Sequence, residues 1–403
     1  MTSHSETIAI AGAGIGGLAA ALALAKRGVA SRVFERRSDA AEAGAGIQLG
    51  PNATRVLASL GILESVRALA SEPDALTVHD ADSGRVLTRM PLGAWMRERH
   101  GSPYLTLHRQ DLHRALSGAA KYGAAKDKGL IDLVYGQDVT GFETSQGAVD
   151  VLLGDGARVN ASALIAADGL WSKLRPLVTP SRAPAPAGKC AYRTVLPRKA
   201  LPKQLAANDV HIWLAPGAHV VAYPVRQGSE IAMIIVIDGT ASEAAWNSAG
   251  SMQTIAVSPV AYFTGPVQDL IFSTHAWRMW PLQKIAPLQR WTEGAVALLG
   301  DAAHPLLPFF AQGGGLALED AAVLAEHVAG NGLAGARASM ASRLVGYELA
   351  RRPRATRVVE ASTANGRIYH MKGAGAAARN GVLAAVPPAL LMRRYDWLYG
   401  WKP

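Results

Sequence analysis

Along residues 7–30 the apolar pattern changes its period. TIAIAG (7–12) is a continuous apolar run of strand length, whereas GLAAALALAKRG (17–28) is rich in Ala and Leu and meets its first charge at Lys26. A buried strand running into a helix is the expectation. Lys26 and Arg27 fall in the last helical turn, where cations complement the dipole, and Gly28 suits a left-handed cap. SRVFE, ending at Glu35, reads as a second strand. ALIAADG (163–169) and AVALLGD (295–301) are apolar strands that each end on an aspartate. The second of these leads into a proline-rich turn, three glycines and a long helix starting near Leu316. Between 191 and 238, AYRTVL, VHIWLA, HVVAYPV and EIAMIIVID are short, β-branched or aromatic, and separated by Pro/Gly turns, which predicts a mixed or antiparallel sheet. After about Tyr347 the pattern is helical, broken at Pro387-Pro388 before an aromatic tail. There is no internal repeat, and GAGAAA (373–378) follows no strand, so it is not a nucleotide turn.

Composition narrows the classes. The 403 residues are 49% hydrophobic and 18% charged, as in a globular protein of two or three domains. The net charge of +10 comes without a basic block or an aromatic–basic ladder, so no nucleic-acid partner is expected. The densest basic patch, RRPRATR (351–357), reads as a solvated surface or subunit contact. One cysteine, Cys190, excludes an internal disulfide and a cysteine-rich metal site, and no metal is expected. The residues before Ile8 lack the basic start of a signal peptide, and glycines at 12, 14, 16 and 17 argue against a transmembrane segment. A cytoplasmic location fits these features.

Strand, glycine turn and helix form the layout of a dinucleotide site. Gly12 allows the tight turn, Gly14 lets the backbone approach a pyrophosphate, and Gly17 lets helix and strand pack. Ile15 and Gly16 complete the turn, and free N–H groups at the helix start receive the phosphates. Glu35 lies eighteen residues beyond Gly17, where a carboxylate binds ribose hydroxyls. Arg36 and Arg37 follow it, but with Glu35 in the ribose position an unphosphorylated adenosine ribose fits, as in FAD or NAD. The later motifs favour the flavin. Asp301, at a strand end, suits a ribityl hydroxyl. Gly313, Gly314 and Gly315 let backbone approach a ring edge. The helix after them points its positive end there, worth roughly 0.3–2 kcal/mol to an anionic reduced ring.

Taken in order, GAGIGG (12–17), Glu35, GAGIQLGPN (44–52), HRQDLH (108–113), DGLWSKLR (168–175), WPL (280–282), GDAAHPLLPFFAQGG (300–314) and DWLYGW (396–401) span nearly the whole chain. Together they resemble the single-component FAD-dependent aromatic hydroxylases of the para-hydroxybenzoate hydroxylase class. Within that class the chain is most similar to the salicylate hydroxylase, 3-hydroxybenzoate 6-hydroxylase and 6-hydroxynicotinate 3-monooxygenase group. The resemblance implies an α/β (α+β) protein: a Rossmann-like FAD-binding domain, an inserted mixed or antiparallel β-sheet substrate domain, and a helical C-terminal region. Its boundaries would be 1–74, 102–186 and 286–346 for FAD, 75–101 and 187–285 for substrate, and 347–403 for the C-terminal helices and tail. It places Arg109 against the cofactor and gives Asp168 a part in NAD(P)H use and flavin placement. Arg36, Gln48 and Val139 join the cofactor contacts. His108, His113 and His304 are expected to be structural.

The implied chemistry is ring hydroxylation with FAD, NADH or NADPH as co-substrate, and O2, through a C4a-hydroperoxyflavin shielded from water. The alternative is an FAD monooxygenase or epoxidase acting on an alicyclic or polyketide-like substrate. A phenol titrates near pH 10, so ionising it near neutrality takes about three units, or about 4 kcal/mol. His219 and Tyr223 lie four apart on one strand and so on one face, and the resemblance puts a His and a Tyr at this spacing beside the substrate hydroxyl. His211 and Trp213 are weaker pocket candidates. Phe309 and Phe310 could stack on a ring or pack in the core. Gln48 stands where hydroxynicotinate enzymes carry a histidine base, which disfavours a pyridine substrate. Which of Arg193 and Arg226 faces inward is not legible, and oligomeric state stays open, the C-terminal region being the candidate homodimer contact.

Overall fold

The computed structural model describes residues 7–38, 45–123, 129–145, 147–202, 205, 207–239, 241, 246–274, 276–332, 335 and 337–403. Gly44, the first residue of the 44–52 motif, lies outside the described residues.

The apolar run at the start becomes the centre of a six-stranded sheet. Ile8–Ala11 is flanked by Ser31–Glu35 on one side and Ala163–Ala166 on the other, all parallel. Ile131–Tyr135 extends one edge in parallel, and Val296–Leu298 the other, with Thr292–Glu293 closing antiparallel. Strands buried on both faces need continuous apolar sequence, and the four residues of Ile8–Ala11 are all buried. Helix Ile15–Lys26, with ten buried residues, packs between this sheet and the helices Arg109–Tyr122 and Gly313–Val328, capped by Arg27, with Gly28 at φ +75°. Parallel order fixes the function-bearing ends: the turns after residues 11, 166 and 298 all emerge at the same, C-terminal edge.

A mixed eight-stranded sheet lies beside it. Its order is Ser248–Ala249, Arg278–Lys284, Ala185–Pro197, Glu230–Asp238, Ala218–Val225, Asp209–Ala215, Ala75–Asp80 and Val86–Pro91. Only the pairing of Asp209–Ala215 with Ala75–Asp80 is parallel. Register sorts its side chains. Arg193 pairs with Ile234, Val221 with Ile234, and His219 with Val236, so these share one face with Tyr223. His211 pairs with Ala222 and Trp213 with Val220, which puts both on the opposite face. A two-stranded ribbon, Gly46–Leu49 with Leu105–His108, spans the space between the sheets.

Helix Gly313–Val328 begins at the glycines themselves, three residues ahead of the expected start. Helix Met340–Tyr369 runs through the 346/347 boundary, and Gly373–Ala385, Pro388–Arg393 and Asp396–Tyr399 follow. The basic patch 351–357 is only partly a solvated surface: Arg357 is exposed, Arg352 and Arg354 are half-buried, and Arg351 is buried. Arg351 is 1% exposed, with Nε 2.7 Å from Asp320 and Nη1 2.8 Å from Glu319. Arg354 also bonds Glu319, and Arg352 pairs with Glu348. Arg357 lies 3.9 Å from the Trp397 ring. Two acids on Gly313–Val328 thus take up Arg351 and Arg354, which a linear charge pattern does not reveal. Among the described residues no helix is long and apolar enough to cross a membrane.

Candidate functional site

Two adjoining cavities of about 280 and 300 Å3 open where the strand ends converge, and both are bordered by Gly14, Arg109, Ala167, Gly169 and Asp301. They form one groove, running from the six-stranded sheet to the inner face of the eight-stranded one.

In the first half, Glu35, Arg36 and Val139 line the wall. One Glu35 oxygen accepts from Ala13 N at 2.9 Å and the other from Arg37 N at 3.0 Å, so the carboxylate is fixed while keeping lone pairs for hydroxyl donors. Gly12 has φ +104°, and a Cβ there would sit 2.5 Å from the Ala167 carbonyl oxygen. Gly17 does not line the groove; its missing Cβ lets the helix rest on Gly12. At Gly14, by contrast, nothing lies within 4 Å of a Cβ position, so the space beside it is reserved for something other than protein. His113 is buried, its Nε2 2.7 Å from Ala13 O, and His108 caps its own helix; both are structural. Trp171 and Trp246 meet edge to face at 5.7 Å on the rim.

At the junction, Asp168 Oδ2 accepts from Lys173 N at 2.9 Å, shaping its turn, while its buried Oδ1 has no protein partner. Asp301 lies on the short turn Gly300–Ala302 and borders both halves. Arg175, a residue with no assigned role in the motif 168–175, holds these turns together. Its Nη2 donates to the carbonyls of Leu170 and Asp301, and its Nε to that of Ala302.

In the second half, Ile15, Gly16, Gln48, Gly313 and Gly314 line one side and Arg193, His219 and Tyr223 the other. Gly315 is turned away from the groove, its Cβ position 3.5 Å from Ala53. The helices beginning at Ile15 and Gly313 both lack a side-chain cap, so their first N–H groups face this space. Gln48 is held by Tyr104, whose hydroxyl donates to Oε1 at 2.7 Å, and its amide hydrogen-bonds Tyr223. Burial pushes the Tyr223 phenol upward, so it stays protonated and able to donate. His219 is 2% exposed, and burial, then His370 and Lys189, pull it well below an ordinary histidine, leaving it neutral.

Arg193 faces inward and Arg226 does not. The Arg193 guanidinium lies 5.0 Å from the Trp280 ring, its buried Nε has no partner, and burial lowers its pKa. Arg226 instead bonds Asp111 and Glu230 at the surface. His211 and Trp213 are excluded from the groove by register and stack with His79 behind the sheet. Phe309 packs on Gly366 and Phe310 against Tyr395, so neither lines the groove. His304 is 2.6 Å from Asp320; burial opposes that carboxylate's charge, but His304 and Arg351 outweigh it and hold the group at about 2. His304 is therefore a structural partner.

The residues fit FAD. Uncapped N–H groups at Ile15 and Gly16 with Arg109 suit the diphosphate, Glu35 the adenosine ribose, Asp301 a ribityl hydroxyl, and the Gly313–Gly314 backbone a ring edge. The open side of Gly14 and the orphaned Asp168 oxygen are the cradle such a group completes.

Comparison with known proteins agrees. The profile of the FAD binding domain matches residues 5–362. The chain is 36% identical over 396 residues to 3-hydroxybenzoate 6-hydroxylase 1 of Aquipseudomonas alcaligenes, covering 98% of each. It is 34% identical to 3-hydroxybenzoate 6-hydroxylase of Polaromonas naphthalenivorans, covering 98% of this chain and 96% of that one. Among solved structures, Klebsiella pneumoniae HpxO complexed with FAD and uric acid superposes with a TM-score of 0.84 at 27% identity, over 98% of this chain and 96% of the other.

Proposed function

For a chain that belongs to the FAD-dependent aromatic hydroxylases, we propose hydroxylation of a phenolic ring that carries a carboxylate, with NADH or NADPH as reductant and O2 as the oxygen source. The carrying observation is a single sheet face that turns Arg193, whose buried Nε has no hydrogen-bond partner, a neutral His219 and a protonated Tyr223 toward one cavity. The 3-hydroxybenzoate activity of the relatives makes that compound the first substrate to test. The segments 75–101 and 187–285 act as the substrate-covering domain in this reading.

FAD, when bound, supplies the electrons taken from the nicotinamide and the activated oxygen atom. The chain's own groups do the rest. Arg193 anchors the substrate carboxylate, since an anion there gives its buried Nε the partner it lacks. Tyr104 fixes the Gln48 amide by donating to Oε1, so the amide N–H points to the Tyr223 oxygen and leaves the Tyr223 hydrogen for the substrate hydroxyl. His219, neutral, accepts that hydroxyl's proton, and together these two groups provide the about 4 kcal/mol that ionisation requires. Val221, Ile234, Val236 and Leu306 exclude water from the reacting atoms.

The test is a panel of hydroxybenzoates, salicylate and pyridinols, read by NADH loss with peroxide and product measured together. A severalfold rise in NADH oxidation with 3-hydroxybenzoate, coupled to incorporation of oxygen from 18O2, is expected. No response to any carboxylated phenol removes the substrate class.

A further inference from the structure

Behind His219 runs a chain of polar groups that the reaction above does not use. His219 Nδ1 lies 2.8 Å from His370 Nε2, at the end of helix Met340–Tyr369. His370 Nδ1 lies 2.8 Å from Asp238 Oδ1, which also bonds Lys189. His219 and His370 are 2% and 7% exposed, whereas the Asp238 side chain is 48% exposed. The chain therefore leads from the cavity wall to solvent.

Proton positions along it follow from the far end. Lys189 and His370 hold Asp238 ionised against its desolvation, so it only accepts. A bare lone pair on His370 Nδ1 would face that oxygen at 2.8 Å with no hydrogen between them; the hydrogen therefore sits on Nδ1. The Lys189 ammonium lies 2.9 Å from the same nitrogen and donates to the same Asp238 oxygen; the ionised carboxylate is the stronger acceptor for both groups. His370 Nε2 is then the acceptor, and His219 must carry its own hydrogen on Nδ1.

We infer that His370 is a positioning residue: oriented by Asp238, it holds His219 in the tautomer that offers an Nε2 lone pair to the cavity, and it carries the proton taken there to the surface. The balance is one proton in and one out. The substrate O–H breaks as Nε2 of His219 gains its hydrogen, Nδ1 of His219 passes one to His370 Nε2, and His370 Nδ1 passes one to Asp238, which releases it to water. Both rings end neutral in the other tautomer, and return of a proton to the product oxygen restores them. The relay rests on the aromatic hydroxylation reading, whereas the tautomer assignment stands without it. The charged and titratable groups facing His370 are His219 and Asp238, Lys189 on the neighbouring strand, and Arg379, whose Nη1 donates to the carbonyls of Ile368 and Tyr369.

The experiment is 15N-histidine NMR on the FAD-loaded full chain, with His219 and His370 assigned by H219Q and H370Q. His219 is expected to show a protonated Nδ1 and a bare Nε2. D238L, which removes the acceptor and leaves only the Lys189 ammonium facing His370 Nδ1, is expected to reverse both rings. A His219 protonated on Nε2 in the parent, or unmoved by D238L, overturns the tautomer assignment. With 3-hydroxybenzoate bound, D238L should raise the pH at which half of the bound ring is ionised, read by near-ultraviolet absorbance, by at least one unit. An unshifted midpoint overturns the relay. Failure of the ring to bind the parent protein sinks the hydroxylation reading and the relay with it, while the NMR result still decides the tautomer.

Discussion

Arg175 Nη2 donates to the Asp301 carbonyl at 3.0 Å, and the same guanidinium reaches Leu170 at 2.9 Å and Ala302 at 2.7 Å. Two turns distant in sequence, each bearing an aspartate that lines the groove, are thereby set against one another by one buried cation. Arg175→Met keeps the bulk but strands several buried carbonyls. A loss of about 2–4 kcal/mol in urea unfolding is expected. FAD should also bind about tenfold more weakly, followed by recovery of flavin fluorescence. Unchanged flavin affinity would show that the turns hold their spacing without it.

Gly14 and Gly17 separate cofactor space from packing. Gly14→Val adds atoms to open space, so the flavin-free protein should melt within about 2 °C of the parent while FAD affinity drops at least about tenfold. Gly17→Ala drives a Cβ into the Gly12 carbonyl and should lower stability by several kcal/mol with or without flavin. Equal effects of the two substitutions on the flavin-free form would sink this assignment.

For Arg193→Met, loss of a charge-assisted anchor of about 2–4 kcal/mol predicts a KM for 3-hydroxybenzoate raised about 30-fold or more. Phenol, which lacks the carboxylate, should lose far less. A matching loss for both rings would place the carboxylate elsewhere.

His79 couples acidity to stability. Burial first, and His211 next, lower it from 6.5 to about 4. The unfolded chain thus takes up the proton first: stability is full above pH 7, falls as the pH drops through 6.5 toward 4, and levels below that. By pH 5 this residue alone costs about 2 kcal/mol. Urea titrations at pH 7 and pH 5 should show the decline, and His79→Gln should reduce it; an undiminished decline in that variant would assign it to other groups.

Much of the groove wall built from the six-stranded sheet and its turns was legible because its elements are local. The period change at Gly12–Gly17, the carboxylate at Glu35 and the glycines after Pro308 each carry their meaning within a few residues. Gly315 was the exception, since a helix beginning at Gly313 rotates its third residue away from the groove. The wall supplied by the eight-stranded sheet was legible only within one strand. Spacing gave the shared face of His219 and Tyr223, but pairing decided that Arg193 joins them and that His211 and Trp213 do not. Arg175 and His370 were missed for the same reason: their partners lie 127 and 151 residues away. Arg351 and Arg354 looked solvated because Glu319 and Asp320, which pair with them, sit on a different helix.

The alternation along Ala218–Val225 limits how this protein can diversify. Losing or gaining a single residue ahead of His219 would turn His219 and Tyr223 outward and present Ala222 and Val220 to the ligand instead. Variation in ring preference among descendants must therefore arise by exchanging side chains in place, while length changes collect in the connecting loops.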